Sequence, residues 1–133
     1  MKNILVTGAS GMLGATLVNE LKNDFEVFAS GSSNFEDQYS QYMKFDLKSN
    51  SFDELINWSN PDIIIHCAAI TNGNYCKENP KEAFDVNGIS MYKFLESTKS
   101  PVKLIYISTD AVFPSSLHLA NENACTDPEN IYG

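Results

Sequence analysis

The chain has no arginine; all nine of its basic residues are lysines. A bidentate guanidinium clamp on a phosphate is therefore excluded within these 133 residues. Cysteine is scarce and odd in number, and Cys67, Cys76 and Cys125 show no C-x-x-C spacing. That argues against a disulfide framework and for reduced thiols in a cytoplasmic protein, with no metal site expected. No stretch approaches the roughly 20 apolar residues that a membrane span needs. The apolar run within residues 1–6 is too short for a signal peptide and meets a glycine turn at once. A net charge of −8 argues against nucleic acid or an anionic membrane surface as a partner.

What is present is an alternation of strand-like and helix-like segments. The length suits one domain, and a 43% hydrophobic content is enough for a core. Ile4-Leu5-Val6 reads as a short buried strand that runs into Gly8. Leu13, Leu17 and Leu21 then recur every four residues as an apolar helical stripe. Residues 25–29 and 43–45 predict the second and third strands, with a polar loop over 30–41 between them. Ser51-Phe52-Asp53-Glu54 has the spacing of a capping box before a short helix. Residues 61–69 form the strongest strand signal, apolar on both faces and so central. Asn79-Pro80 predicts a capped start to one long helix reaching about Lys99, stopped by Pro101, with residues 102–108 as a fifth strand.

Crossovers between parallel strands are right-handed in about 98% of cases. The fold expected is therefore α/β, a doubly wound parallel sheet of the Rossmann type with strand order 3-2-1-4-5.

Gly8, Gly11 and Gly14 follow a strand and open a helix. The first permits a tight turn, the second lets backbone approach a pyrophosphate, and the third allows close helix–strand packing. With Ser10, Met12 and Leu13 they make an expected cofactor cradle at a helix N-terminus. Ser30 ends the second strand, and Asp46-Leu47 follows the third. By itself Asp46 reads as a solvated loop carboxylate or a helix-entry residue. Cys67-Ala68-Ala69 closes the fourth strand with small side chains, and Asn87 falls mid-helix, where asparagine needs a reason. Ser108-Thr109-Asp110 follows the fifth strand, at the edge where doubly wound sheets bind ligands. Taken alone, that serine-threonine pair is as well read as a turn.

The spacing G-x-x-G-x-x-G, together with Ser108-Thr109-Asp110-Ala111-Val112-Phe113 and the run E-N-A-C-T-D-P-E-N-I-Y-G ending at Gly133, resembles the dTDP-4-dehydrorhamnose reductase group of extended short-chain dehydrogenases. Residues 61–69 with Thr71, Cys76 and Pro80 have the same look. The resemblance implies hydride transfer from NADPH or NADH to a 4-keto nucleotide sugar, in surface-polysaccharide synthesis. Thr109 would polarise the keto oxygen, and Tyr132 would protonate it as the first half of a Tyr-x-x-x-Lys pair. The named cradle residues, with Ser30, Asp46, Leu47, Cys67, Ala68, Ala69, Asn87 and Ser108, would hold the cofactor.

On that resemblance, residues 1–133 are a cofactor-binding domain that stops just after its catalytic tyrosine, with the substrate-binding portion outside it. Weak cofactor binding without turnover is then expected of the chain alone, and a homodimer of the full-length protein. Ala29-Ser30-Gly31-Ser32-Ser33 has neither the carboxylate that favours NAD nor an arginine for NADP, and its serines lean the reading to NADP. Ala111 stands where the group has an aromatic residue. Two other readings are an epimerase or dehydratase on the same scaffold, and a partner-binding subunit like the regulatory subunit of methionine adenosyltransferase.

Overall fold

A computed structural model of the chain describes residues 1–34, 39, 41–49 and 51–133. Its five strands are all parallel, in the order β3-β2-β1-β4-β5. They are β1 (Asn3–Thr7), β2 (Glu26–Gly31), β3 (Tyr42–Lys44), β4 (Ile63–His66) and β5 (Lys103–Tyr106). This is the predicted doubly wound sheet. The middle of the central pair β1 and β4 is isoleucine, leucine and valine because both of its faces are covered by helices.

One face packs on α1 (Met12–Leu21), through Ile4, Val6, Ala29 and Ile65 against Val18. The opposite face packs on α2 (Asp53–Ser59) and α5 (Ser90–Ser97), where Leu5, Phe28 and Ile64 meet Phe52, Leu55 and Phe94. Aromatic edges lock that second core. Phe52 sits T-shaped to both Phe45 and Phe94, with ring centroids 4.9 and 4.7 Å apart.

Several elements differ from the sequence reading. The α1 stripe is rotated, with Gly14 and Val18 buried and Leu13 45% exposed, because close approach at Gly14 brings that face to the sheet. The second strand continues through Ser30 and Gly31 rather than yielding to a loop there. The rest of that expected loop falls partly on residues 35–38 and 40, outside those described. Ser51 accepts the N–H of Asp53, one residue short of the partner a capping box would use.

The long helix expected over 79–99 is three pieces, with a separate short helix before it. A separate α3 (Gly73–Glu78) precedes α4 (Pro80–Phe84), a π-helical turn (Asp85–Ile89) and then α5. Asn79 does not cap forward; its amide nitrogen donates back to the Tyr75 carbonyl at the end of α3.

Candidate functional site

The C-terminal ends of β1, β2 and β4, with the turn after β3, surround a cleft of about 460 Å³. That volume lies within the range of small-molecule and cofactor sites. Its floor is the β1–α1 turn, contributed by Thr7, Gly8, Ser10 and Gly11. Gly8 takes φ +69°, and a Cβ there would lie 2.7 Å from the Ala68 nitrogen. Both the left-handed backbone and the contact with the loop after β4 require glycine. A Cβ on Gly14 would overlap the Gly8 carbonyl oxygen, so this glycine lets the first turn of α1 sit directly on the β1 turn.

Gly11 differs from these two. A Cβ there would touch only the Gly8 carbonyl, at 3.3 Å, and would otherwise project where the cleft is open. Gly11 is also the N-cap of α1, with no side chain capping the helix and no acidic residue in its first turn. The first N–H groups of α1, at Met12 and Leu13, thus begin a ten-residue helix dipole with no competing carboxylate. The donor set and the open space fit a bound phosphate group of a dinucleotide.

The walls come from three further strand ends. Ser30, Gly31 and Ser32 extend from β2; Asp46 and Leu47 follow β3; Cys67, Ala68, Ala69 and Ile70 follow β4. Burial pushes the Cys67 thiol up, so it lines the wall as a neutral group. At the rim, Lys48 pairs with Glu82 at 3.2 Å while the Tyr75 hydroxyl donates to the other Glu82 oxygen at 2.9 Å. These two donors hold the Glu82 carboxyl below the usual range, and Glu82 in turn raises Lys48.

The wall after β4 is fixed from behind by two side chains. Asn87, inside the π turn, makes a two-bond clamp on Ile70, accepting its N–H at 2.8 Å and donating to its carbonyl at 2.9 Å. The mid-helix asparagine therefore braces the wall; it is not among the residues that line the cleft. His66 lies beneath, 1% exposed, with Nδ1 2.7 Å from the Thr7 hydroxyl and Nε2 3.2 Å from the Ser90 hydroxyl. Ser90 spends its own proton on the Val86 carbonyl, so His66 must donate from Nε2 and accept at Nδ1. Thr7 then gives its proton to Nδ1 and accepts the Ala68 N–H at 3.4 Å. Burial lowers the imidazole to about 4, so this chain of bonds runs through a neutral ring.

The two candidate catalytic hydroxyls stand outside this cleft, as do Met12, Leu13, Gly14 and Ser108. Thr109 caps a 3-10 turn (Asp110–Val112), accepting the Ala111 N–H at 3.2 Å. Tyr132 neighbours Tyr106, whose hydroxyl donates to the Asn87 carbonyl at 2.7 Å. Burial first, and the neighbouring Tyr132 second, keep the Tyr106 phenol above its usual range. Tyr132 thus lies near Tyr106, with its own N–H donating to the Asn130 side chain, while Thr109 is held by its own local turn.

Sequence reading missed Thr7, Ser32, Lys44, Lys48 and Glu82 as lining residues. The signal for them was register: each sits at or just past a strand end, or on the helix facing it. Among the described residues, no cluster of His, Cys, Asp or Glu is placed to hold a metal ion. Nor is any described helix long and apolar enough to cross a membrane.

The family model for the RmlD substrate binding domain matches residues 1–133. The chain belongs to that family. It is 35% identical to the spore coat polysaccharide biosynthesis protein SpsK of Bacillus subtilis, over 100% of this chain and 45% of that protein. It is 33% identical to methionine adenosyltransferase 2 subunit beta of Danio rerio, over 99% of this chain and 40% of that one. Among solved structures it superposes on a hypothetical dTDP-4-dehydrorhamnose reductase from Sulfolobus tokodaii with a TM-score of 0.90 at 29% identity. That match covers 98% of this chain and 48% of the other. The chain spans less than half the length of these relatives.

Proposed function

We propose that this domain grips NADPH or NADH for the reduction of a 4-keto nucleotide sugar. The observation that carries the reading is the cleft at the Gly8–Gly14 turn, open only at Gly11 and faced by an uncapped helix N-terminus. Gly8, Ser10 and Gly11 would hold the pyrophosphate, with the N-terminus of α1 behind them supplying its dipole. Asp46 and Leu47 would border the adenine, and Cys67, Ala68 and Ala69 would leave room beside it. Bound there, the nicotinamide supplies a hydride. Thr109 would donate a hydrogen bond to the keto oxygen, and Tyr132 would deliver the proton. The relatives named for polysaccharide biosynthesis and for dehydrorhamnose reduction support this substrate class.

Fluorescence titration with NADPH tests the binding half. Saturable binding is expected for the wild-type chain, with loss of it in a Gly11→Val variant that remains folded, its helix start weakened by about 1 kcal/mol. Equal binding by Gly11→Val would overturn the reading. For the chemistry, Tyr132→Phe and Thr109→Val in the intact protein should each lower turnover by roughly 100-fold or more with cofactor affinity retained.

The match to a methionine adenosyltransferase subunit favours a second reading, a partner-binding subunit built on the same cleft. Retained NADPH binding without ketosugar reduction, together with a stable complex with such an enzyme, would select it.

A further inference from the structure

Lys44 is the last residue of β3, and its register partner is Gly31, the last residue of β2. Both line the cleft, with Ser32 and Ser10 beside them. A Cβ on Gly31 would lie 3.2 Å from the Ser10 hydroxyl oxygen, so that hydroxyl faces the end of β2. In doubly wound folds the end of the second strand is where the adenosine ribose is read. A carboxylate there takes the free 2′-hydroxyl, whereas a cation takes a 2′-phosphate. Here the strand end itself carries only glycine and serine, and its cation comes from the neighbouring strand.

The charges of the cleft sharpen the point. Lys44, Lys48, Asp46 and Glu82 are its charged lining residues. Lys48 is held by Glu82 at 3.2 Å, and the Oδ1 of Asp46 accepts the Lys48 backbone N–H at 2.9 Å. Among the described residues Lys44 has no carboxylate partner, and its side chain is exposed. An ammonium on a flexible stem, in a cleft whose lining also includes Ser10 and Ser32, supplies the donors a phosphate dianion needs.

We propose that Lys44, with Ser10 and Ser32, forms a 2′-phosphate subsite that makes this domain select NADP over NAD. The proposal rests on the dinucleotide reading given above. It goes beyond that reading by assigning the selecting charge to Lys44 on β3, a residue that the sequence reading did not single out.

The test uses adenosine half-cofactors, so that no catalytic step is needed. Calorimetric titration with adenosine 2′,5′-bisphosphate and with adenosine 5′-monophosphate measures the subsite directly. Wild type should bind the bisphosphate the tighter, by about 10- to 100-fold, the range of a charge-assisted contact. Lys44→Ala should remove that advantage while leaving the monophosphate constant and the melting temperature unchanged. Lys44→Arg should restore it, and Lys44→Glu should invert the preference. Lys103→Ala, which removes the same charge from β5, should leave the ratio at its wild-type value.

Binding of both probes with equal affinity, or a ratio that survives Lys44→Ala, would overturn the subsite and leave the dinucleotide reading standing. Failure of both probes to bind the folded protein would sink the dinucleotide reading, and Lys44 with it.

Discussion

Phe52, Leu55 and Phe94 are 0% exposed, whereas among the described residues no side chain after Ser97 is buried. The chain up to Ser97 contains every fully buried member of both cores and the whole lining of the 460 Å³ cleft. The part after it contains the edge strand β5, with Ile105 36% and Tyr106 39% exposed, and a run of turns to Gly133. That run has its own cleft of about 450 Å³, lined by residues between 110 and 130 and separate from the first. It is tied down by scattered hydrogen bonds, such as Asp127 N–H to the Val112 carbonyl and Ser115 to Glu129. The difference teaches that the binding surface and the candidate catalytic hydroxyls rest on unlike physics. The first is fixed by close packing, which tolerates little change. Thr109 and Tyr132 are carried by locally bonded turns, which cost little to move.

The largest contrast should come from truncating the core against truncating the tail. Phe94→Ala should cost about 3–5 kcal/mol in chemical unfolding. Leu119→Ala, at a fully exposed position, should stay within about 0.5 kcal/mol. Similar losses at the two sites would erase the distinction.

Acid should act on the packed part through His66. The unfolded ring takes a proton near 6.5, and the buried one resists until about 4. The unfolded state therefore binds more protons across that window. The contribution of neutral His66 is full above 6.5 and fades as pH falls toward 4, by about 3 kcal/mol in total. Urea midpoints followed from pH 7 to 4.5 should fall, and the fall should shrink in His66→Asn. An unchanged slope in that variant would show that the ring is not the acid-sensitive group.

A smaller effect separates the brace from the wall. Asn87→Ala removes two bonds to Ile70 and should cost about 1–3 kcal/mol. It should also weaken cofactor binding through a looser Ala68–Ile70 wall, whereas Asn87→Asp should keep the bond from the Ile70 N–H and lose less. Full affinity in Asn87→Ala would free the wall from the π turn.

The same division explains what could be read from the sequence. Strand order and the glycine turn were legible because Ile4-Leu5-Val6, residues 61–69 and Gly8–Gly14 obey periodic and local rules. The π turn was not, because what pins Asn87 is the Ile70 backbone 17 positions away. Lys44 was passed over although residues 43–45 read as a strand, because only its register with Gly31 places it at the cleft. The exposed Leu13 shows the reverse case, a regular stripe overruled by the close contact at Gly14.

The most direct test of the central claim is a map of backbone amide shifts in the ¹⁵N-labelled chain as NADPH is added. The account predicts the largest shifts at residues 8–13, 31–32, 46–48 and 67–70, around the packed cleft. Shifts confined to residues 110–130, or none at saturating NADPH, would contradict it.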